Sequence, residues 1–583
     1  MNTEVRFLLA IALMLAVLVG TNFVFPPVVP EEVLVTDSTT ARSNLEGDVG
    51  GTSGTASVGE PVSAAISLPG MPGAAADEVL LPSDTEAGVT TGGTAEQRVV
   101  VEGSLYRFEF SNVGGRLRAA TMTQFDALNR DGLVDLVPEG SEGYFGQKLV
   151  VGSDTVDLSR QLFRVEPEGG LDLVTDPTAR TLRFVYEHPT QPFGFEVEYE
   201  FDPDKYQVVV RGRTTGLERP LLVTDLGEGL AFAESDSASE ARMMAYVYNH
   251  VQEGIQSTLQ DGAEPIVIEG PLLWAAFRNK FFVLALLADE SDDGIDQASY
   301  LGGLLVQPSL VEGRVRLAAA QPIAADGSFA YRLYMGPQDY TRLTSLGEGM
   351  EEVNPYGWKF IRPVVRPFVS VIMTVLDFLH TKLSLGYGWV LIVFGVMMRV
   401  VLFPLNHKAM KAQLRNMAVQ PLVTEIQAKY KDNPEKLQKE MMKLYKEHGF
   451  NPLAGCLPML LPWPVLIALF FVFQNTVELR GVPFLWLSDL SAPDPLYLLP
   501  VFMGISMFLM QYVSLKSLDQ VNPQMKMMMW LMPIMMIFIF FSLPGGLNLY
   551  YATANVATLP QQIWIANERK KMKGKPLPKL SKD

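Results

Sequence analysis

Cysteine is nearly missing: the 583-residue chain has one, Cys456. It therefore forms no internal disulfide, and its place in an apolar run argues against a thiol catalyst. No Walker motif occurs, so nothing here points to nucleotide-driven work. The N-terminal half also lacks metal-ligand spacing, a nucleophile elbow and a phosphate loop. Asp and Glu are absent from the apolar segments of the C-terminal half, the nearest being Glu478 at a segment end. Proton-coupled carriers place carboxylates inside their spans, and no inverted repeat is visible, so a carrier is disfavoured. Between Phe25 and Tyr106 there is no aromatic residue. That stretch, rich in Gly, Ser, Thr, Ala and Pro, cannot bury enough surface to offset its ordering entropy and is expected to be a flexible linker over 26–100.

What is present divides in two. Residues 356–583 hold 24 Lys+Arg against 12 Asp+Glu, a net of +12, so the −17 of the whole chain leaves −29 for residues 1–355. An acidic half joined to a basic, apolar half suggests two compartments, the basic part near the cytoplasmic face. Six segments are long and apolar enough for spans of about 17 to 25 residues: Phe7–Phe25, Tyr387–Leu405, Cys456–Val477, Pro495–Val513, Met527–Leu543 and Leu547–Ile565. The first, within 1–25, reads as an uncleaved anchor, because it lacks a basic flank and a small-residue cleavage site. Phe368–Leu379 is apolar but short, with Asp377 near its end and His380 and Lys382 just beyond. A helix lying in the interface is expected within 355–382.

Loop charge sets the orientation. Asn406–Pro452 carries nine basic residues, Ser514–Lys526 two and the tail beyond Ile565 seven. All fall on one side, which places both termini in the cytoplasm and Pro26–Lys382 on the far side. Lys359, Arg362, Arg366 and Lys382 run against this rule, and pairing with outer-leaflet phosphates would accommodate them.

In the far-side region the period becomes two: Leu105–Phe110, Phe195–Phe201 and Tyr206–Val210 alternate apolar and polar residues between Gly, Pro and Asp turns, which predicts a β-sandwich over 101–345. In the basic loop, Asn433 can cap a helix with Pro434 in first position. Leu437, Met441, Leu444 and Tyr445 then share one face while Lys436, Lys439, Glu440 and Lys443 take others. With a helix before it, this forms a hairpin over 406–450 whose basic surface suits anionic lipid, RNA or a protein, or is only a solvated loop.

Arg399 stands in the apolar run Tyr387–Leu405. A guanidinium near the middle of a span costs roughly 2.5 to 3.5 kcal/mol. Either it snorkels to the nearer interface, about 9 Å away at Leu405, or the cost serves a function.

Four motifs occur in order: Arg399 with Phe403-Pro404-Leu405, Asn451-Pro-Leu-Ala-Gly-Cys456-Leu-Pro458, Leu487-Ser-Asp-Leu-Ser-Ala-Pro-Asp-Pro495, and Pro544-Gly-Gly-Leu-Asn-Leu-Tyr550-Tyr551. Together they resemble the YidC membrane protein insertase family over about Pro355–Arg569. Ser111–Gly115, Arg278–Phe282 and Leu333–Pro337 are similar, more loosely, to its Gram-negative form. The resemblance implies a membrane α-helical bundle of six spans with a five-helix insertase core over 383–570, plus a periplasmic all-β supersandwich. It implies insertion and folding of inner-membrane proteins through a lipid-open hydrophilic groove, without cofactor, alone or with the Sec translocon.

Arg399 matches the groove arginine, and Tyr551, beside Tyr550, matches a substrate-contacting aromatic. Without the resemblance, both tyrosines would read as interfacial anchors. Gly395 stands where the family often has Thr, and Pro462-Trp463-Pro464 replaces a pattern with one Gln and one Pro. Lys408, Lys411, Arg415, Lys436, Lys439 and Lys443 would receive substrates on the hairpin. Arg569 and Lys570, with Lys571 and Lys573 of the basic tail over 571–583, would contact ribosome or lipid. The implied partners are nascent membrane proteins, the Sec translocon, the ribosome and signal recognition particle pathway, and anionic phospholipid. The competing readings are a small-anion transporter using Arg399 as counter-ion, and an anchored periplasmic carbohydrate-binding protein.

Overall fold

The computed structural model describes residues 96–178, 180–260, 265–289, 300–309, 314–354, 356–357, 361–404, 426, 429–430, 433–447, 463–516 and 523–572. The expected anchor 1–25, nearly all of the linker and most of the hairpin's first half lie outside these residues. The chain forms two compact units, one ending at Gly336 and the other beginning at Pro337.

The first unit is built from strands, running from Arg98–Glu102 to Ser328–Pro337, in a five-stranded and a fourteen-stranded sheet. The two-residue period produces them directly. In Tyr106–Ser111 the side chains of Tyr106, Phe108 and Phe110 are buried while Arg107 is exposed, and Gly194–Phe201 buries Phe195, Val197, Tyr199 and Phe201. The two inner faces meet through rings, with Phe110 5.2 Å from Tyr199 and 6.2 Å from Phe201. Offset and edge contacts of this kind add to area burial. This is the expected β-sandwich, bounded by Arg98 and Gly336 where 101–345 was anticipated. The short helix Tyr340–Ser345 belongs to the other unit.

The motifs that carried the looser resemblance act as structural pins. Gly114 has φ +72°, and a Cβ there would lie 2.2 Å from the Ser159 carbonyl oxygen, so only glycine fits. Asn279 accepts hydrogen bonds from the Phe281 and Phe282 amides at 3.1 and 2.7 Å and donates to Glu240 Oε1 at 2.7 Å. Glu240, on α1 (Ser237–Ala241), is 1% exposed and also accepts from the Ala233 and Glu234 amides. A buried carboxylate is tolerable when its lone pairs are filled in this way.

The second unit is helical: α2 (Tyr340–Ser345), α3 (Arg362–Thr381), α4 (Tyr387–Pro404), α5 (Pro434–Glu447), α6 (Trp463–Asn475), α7 (Leu498–Lys516), α8 (Pro523–Phe540) and α9 (Gly545–Met572). Helix α7 packs against α8 and α9, and α3 packs against α6. Among the described residues, α3, α4 and α7 are long and apolar enough to cross a membrane, while α6 and α8 contribute shorter apolar stretches, Val465–Asn475 and Met529–Phe540.

Helix α3 falls within the expected 355–382 and extends the apolar run Phe368–Leu379 to 20 residues; Pro363 occupies its first turn, where a helix needs few amide donors, and Pro367 lies inside it. It buries Val365, Val369, Ile372, Met373, Leu376 and Leu379 along one face and leaves Val364, Val371 and Phe378 exposed. Arg366 is placed differently from expectation. It pairs with Glu351 at 3.1 Å and Glu352 at 2.6 Å within the protein.

Candidate functional site

Helix α4 brings two of the expected site residues together, one turn apart. Gly395 is buried against α9: a Cβ there would stand 3.3 Å from Thr553 Cγ2 and 3.6 Å from Tyr550 Cδ2. The absence of a side chain therefore lets the two helices approach, as small residues do between spans. A threonine at this position would press on Thr553, so the departure from the family pattern is matched by local packing.

Arg399 follows on α4, partly buried. Its Nε is sealed from solvent, and among the described residues it makes no hydrogen bond. Both Tyr550 and Tyr551 lie within electrostatic reach of its charge. Tyr550 is 3% exposed and sits among rings, 5.9 Å from Phe394 and 5.3 Å from Phe473, so it is a core residue and not an interfacial anchor. Tyr551 is partly exposed and packs edge-on to Phe540 at 5.3 Å. Arg399, Gly395, Tyr550 and Tyr551 thus form one locus at the α4–α9 contact.

Polar residues not singled out in the sequence accompany it. On α9, Asn548, Tyr551, Asn555 and Thr558 recur at three- and four-residue intervals and so share one helical face. Asn555 Nδ2 donates to Ser506 Oγ on α7 at 3.1 Å, with both residues buried. Asn548 Nδ2 donates to the Phe540 and Leu543 carbonyl oxygens at 3.2 and 3.3 Å, which ties the end of α8 to the start of α9. The signal in the sequence is this spacing of amides through an otherwise apolar helix.

The loop motifs close the adjacent end of the bundle. Asp489 Oδ1 accepts from the Gly481 and Ser491 amides at 3.0 and 2.7 Å. Asp494 accepts from Leu496 and Leu499 amides and from Trp486 Nε1. Gly545 and Gly546 donate their amides to the Ala492 and Leu490 carbonyl oxygens at 2.7 and 2.8 Å. The Pro544-Gly-Gly turn therefore docks onto the Leu487–Pro495 loop, and both motifs serve closure.

Of the recruiting residues, Lys436, Lys439 and Lys443 are exposed on α5, whose first turn Asn433 caps by accepting from the Lys436 amide at 3.1 Å. Arg569, Lys570 and Lys571 fall in the last turns of α9. Lys408, Lys411, Arg415, Pro462 and Lys573 lie outside the described residues. Among the described residues no group of three or more His, Cys, Asp or Glu is placed to hold a metal ion.

Residues 378–573 match the family described as 60Kd inner membrane protein, and residues 98–370 match the YidC periplasmic domain. The chain is 30% identical over 513 residues to a membrane protein insertase YidC of Chlorobium limicola, covering 83% of this chain and 85% of the relative. It is 31% identical over 521 residues to a namesake from Chlorobaculum tepidum, with 84% and 85% covered. A crystal structure titled as an active YidC insertase with its first transmembrane domain resolved covers 80% of this chain at 20% identity, with a TM-score of 0.32. The relatives are named membrane protein insertases, and the family matched by the helical unit is described as an inner membrane protein. Two family matches covering both units and full-length relatives at this identity show that the chain belongs to the YidC membrane protein insertase family.

Proposed function

We propose that the protein inserts membrane proteins by holding a substrate's polar tail at Arg399 while the adjoining apolar segment passes into lipid. The observation that carries this reading is the buried, unpartnered Nε of Arg399 beside Tyr550, Tyr551 and Gly395. A guanidinium kept dry in hydrocarbon is costly, whereas in a water-lined groove between α4 and α9 the desolvation penalty falls away. There the charge attracts acidic tails. Transfer of the apolar segment then supplies the drive, at about 25 cal/mol per Å2 buried.

In this reading six spans, the N-terminal one included, place both termini in the cytoplasm and the sandwich in the periplasm. The groove opens to lipid and cytoplasm, and the docked loops at Leu487–Pro495 and Pro544–Gly546 close its outer side. Helix α3 lies in the outer interface. The exposed lysines of α5 receive nascent chains from the ribosome and the signal recognition particle pathway or touch anionic phospholipid. The chain works alone or beside the Sec translocon.

The test is insertion of a single-span substrate carrying an acidic, neutral or basic tail, at matched levels of parent, Arg399→Lys and Arg399→Ala. Arg399→Lys should retain most activity because the charge remains. Arg399→Ala should fail most with acidic tails. Equal insertion by Arg399→Ala and the parent for every tail would refute the groove charge, and an unimpaired Arg399→Leu would support snorkelling instead.

A further inference from the structure

The helical unit also contains a cavity of about 240 Å3. It lies where α3 and α6 end and α4 begins, lined by residues of all three and of α2. Its floor is apolar, including Leu376 and Phe473, and its walls carry the carboxylates of Asp339, Asp377 and Glu478 with the guanidinium of Arg342. Phe473 also packs on Tyr550, but none of the charged residues of the cavity belongs to the Arg399 locus.

Glu478 is the group that asks for a ligand. Its Oε2 is sealed from solvent and has no hydrogen-bond partner among the described residues. Burial, reinforced by the charge of Asp339 and then of Asp377, pushes its carboxyl up to about 7. The guanidinium of Arg342 lies beside Asp339, Nε to Oδ2 at 3.7 Å. Even with Glu478 partly protonated, Asp339 and Asp377 outnumber the guanidinium of Arg342, so the cavity is anionic. The Glu478 amide bonds its own carboxyl, but the sealed Oε2 has no donor, and a cation bearing N–H groups would supply one.

The shape of the cavity narrows the identity of that cation. The carboxylates do not converge closely enough to ligate a metal ion. The volume exceeds the roughly 150 Å3 that accommodates benzene in an engineered cavity, and the floor is apolar. An ammonium on a short carbon stem fits both facts better than a bare hydrated ion. Arg342, on the same wall, can donate to a phosphate oxygen. The cavity also sits at the level where the apolar stretches of the spans stop, α6 at Asn475 and α4 from Tyr387, beside the interfacial α3. In a bilayer that is the depth of the lipid headgroups.

We propose that this cavity binds the headgroup of a phosphatidylethanolamine molecule, the ammonium on Glu478 and Asp377 and the phosphate toward Arg342. The proposal rests on the placement of the spans given under Proposed function, but not on Arg399. Choline headgroups present a methylated nitrogen with no N–H to donate, and glycerol headgroups leave the carboxylates unanswered, so both should bind poorly.

The test uses the full chain in detergent micelles, with native mass spectrometry to count retained lipid. Phosphatidylethanolamine and phosphatidylcholine of identical acyl chains are offered at equal concentration. The parent should retain the ethanolamine lipid about tenfold over the choline lipid, a charge-assisted hydrogen bond's worth of discrimination. Glu478→Gln should bring the two to near parity, and Asp377→Asn, at an exposed position, should reduce the preference by a smaller factor with little risk to folding. Arg399→Ala should leave the preference intact, so that the cavity and the groove fail separately. A parent without preference, or a preference that survives both Glu478→Gln and Asp377→Asn, would overturn the proposal. Displacement of the lipid by an equal concentration of free phosphoethanolamine would overturn the lipid as its source.

Discussion

The sandwich fills the lone pairs of its buried carboxylates, although the Nε atoms of Arg118 and Arg278 are sealed there without a partner among the described residues, whereas the helical unit leaves a carboxylate open as well. In the sandwich, Asp225 is held by Arg316 at 2.9 Å with Arg116 at 3.7 Å, and Arg316 also reaches Glu142 at 2.8 Å. Glu240 has both oxygens occupied by the Ala233 and Glu234 amides and by Asn279. In the helical unit, Arg399 and Glu478 each keep a sealed atom without a partner among the described residues. A paired buried charge supports a fold, and an unpaired one costs free energy that is recovered only when something else arrives. On the proposed reading, Arg399 and the open Glu478 carboxyl are where the helical unit receives ligands.

The sharpest way to break that contrast is to remove the charges and compare what fails. Arg399→Ala should lower insertion of an acidic-tailed substrate at least about tenfold, the scale of one lost charge-assisted contact, while deletion of residues 120–300 should leave most insertion in place at matched core levels. A deletion that abolished insertion would give the sandwich a working role and erase the contrast.

Next in size is Glu240→Ala in an isolated domain of residues 96–337. It strands two amides and the Asn279 side chain, and unfolding in urea should show a loss of about 2 to 4 kcal/mol. Full-length protein bearing the same change should still insert substrates wherever it accumulates normally.

Asp494→Ala removes acceptors from the Leu496 and Leu499 amides and from Trp486 at the start of α7. The thermal midpoint of the full chain should fall, consistent with about 1 to 2 kcal/mol for a lost cap. An unchanged midpoint would mean the loop does not close the bundle.

The smallest effect concerns pH. The hydrogen bond from Arg316 holds the Glu142 carboxyl below the usual carboxylate range. Its folded pKa is depressed, so its contribution is present at neutral pH and is lost as pH falls through that depressed value. The urea midpoint of the isolated domain should therefore drop on acidification by more in the parent than in Glu142→Gln.

Much of this was legible along the chain because its causes are local. Alternation in Phe195–Phe201 gave a strand because side chains on a strand face opposite sides in turn. Asn433-Pro434 marked the start of α5 because a cap and its first turn are neighbours in sequence. The ion pairs of Arg366 with Glu351 and Glu352 were not legible, because they depend on how the chain before α3 folds back on it. Tyr550 read as an interfacial anchor from its position in the span, whereas its burial depends on Phe394 and Phe473 from two other helices.

The sequence by itself determined the two-part construction, the strand-rich first half, the apolar helices and the presence of one arginine within them, because composition, period and charge act over a few residues. Only the tertiary structure decided which of those residues meet. It joined Glu240 to Asn279 across 39 positions, set Gly395 against Thr553, and gathered Asp339, Asp377 and Glu478 around one cavity. Such meetings arise when helices and sheets bury their apolar faces together, and the polar groups carried along must then find partners or wait for them.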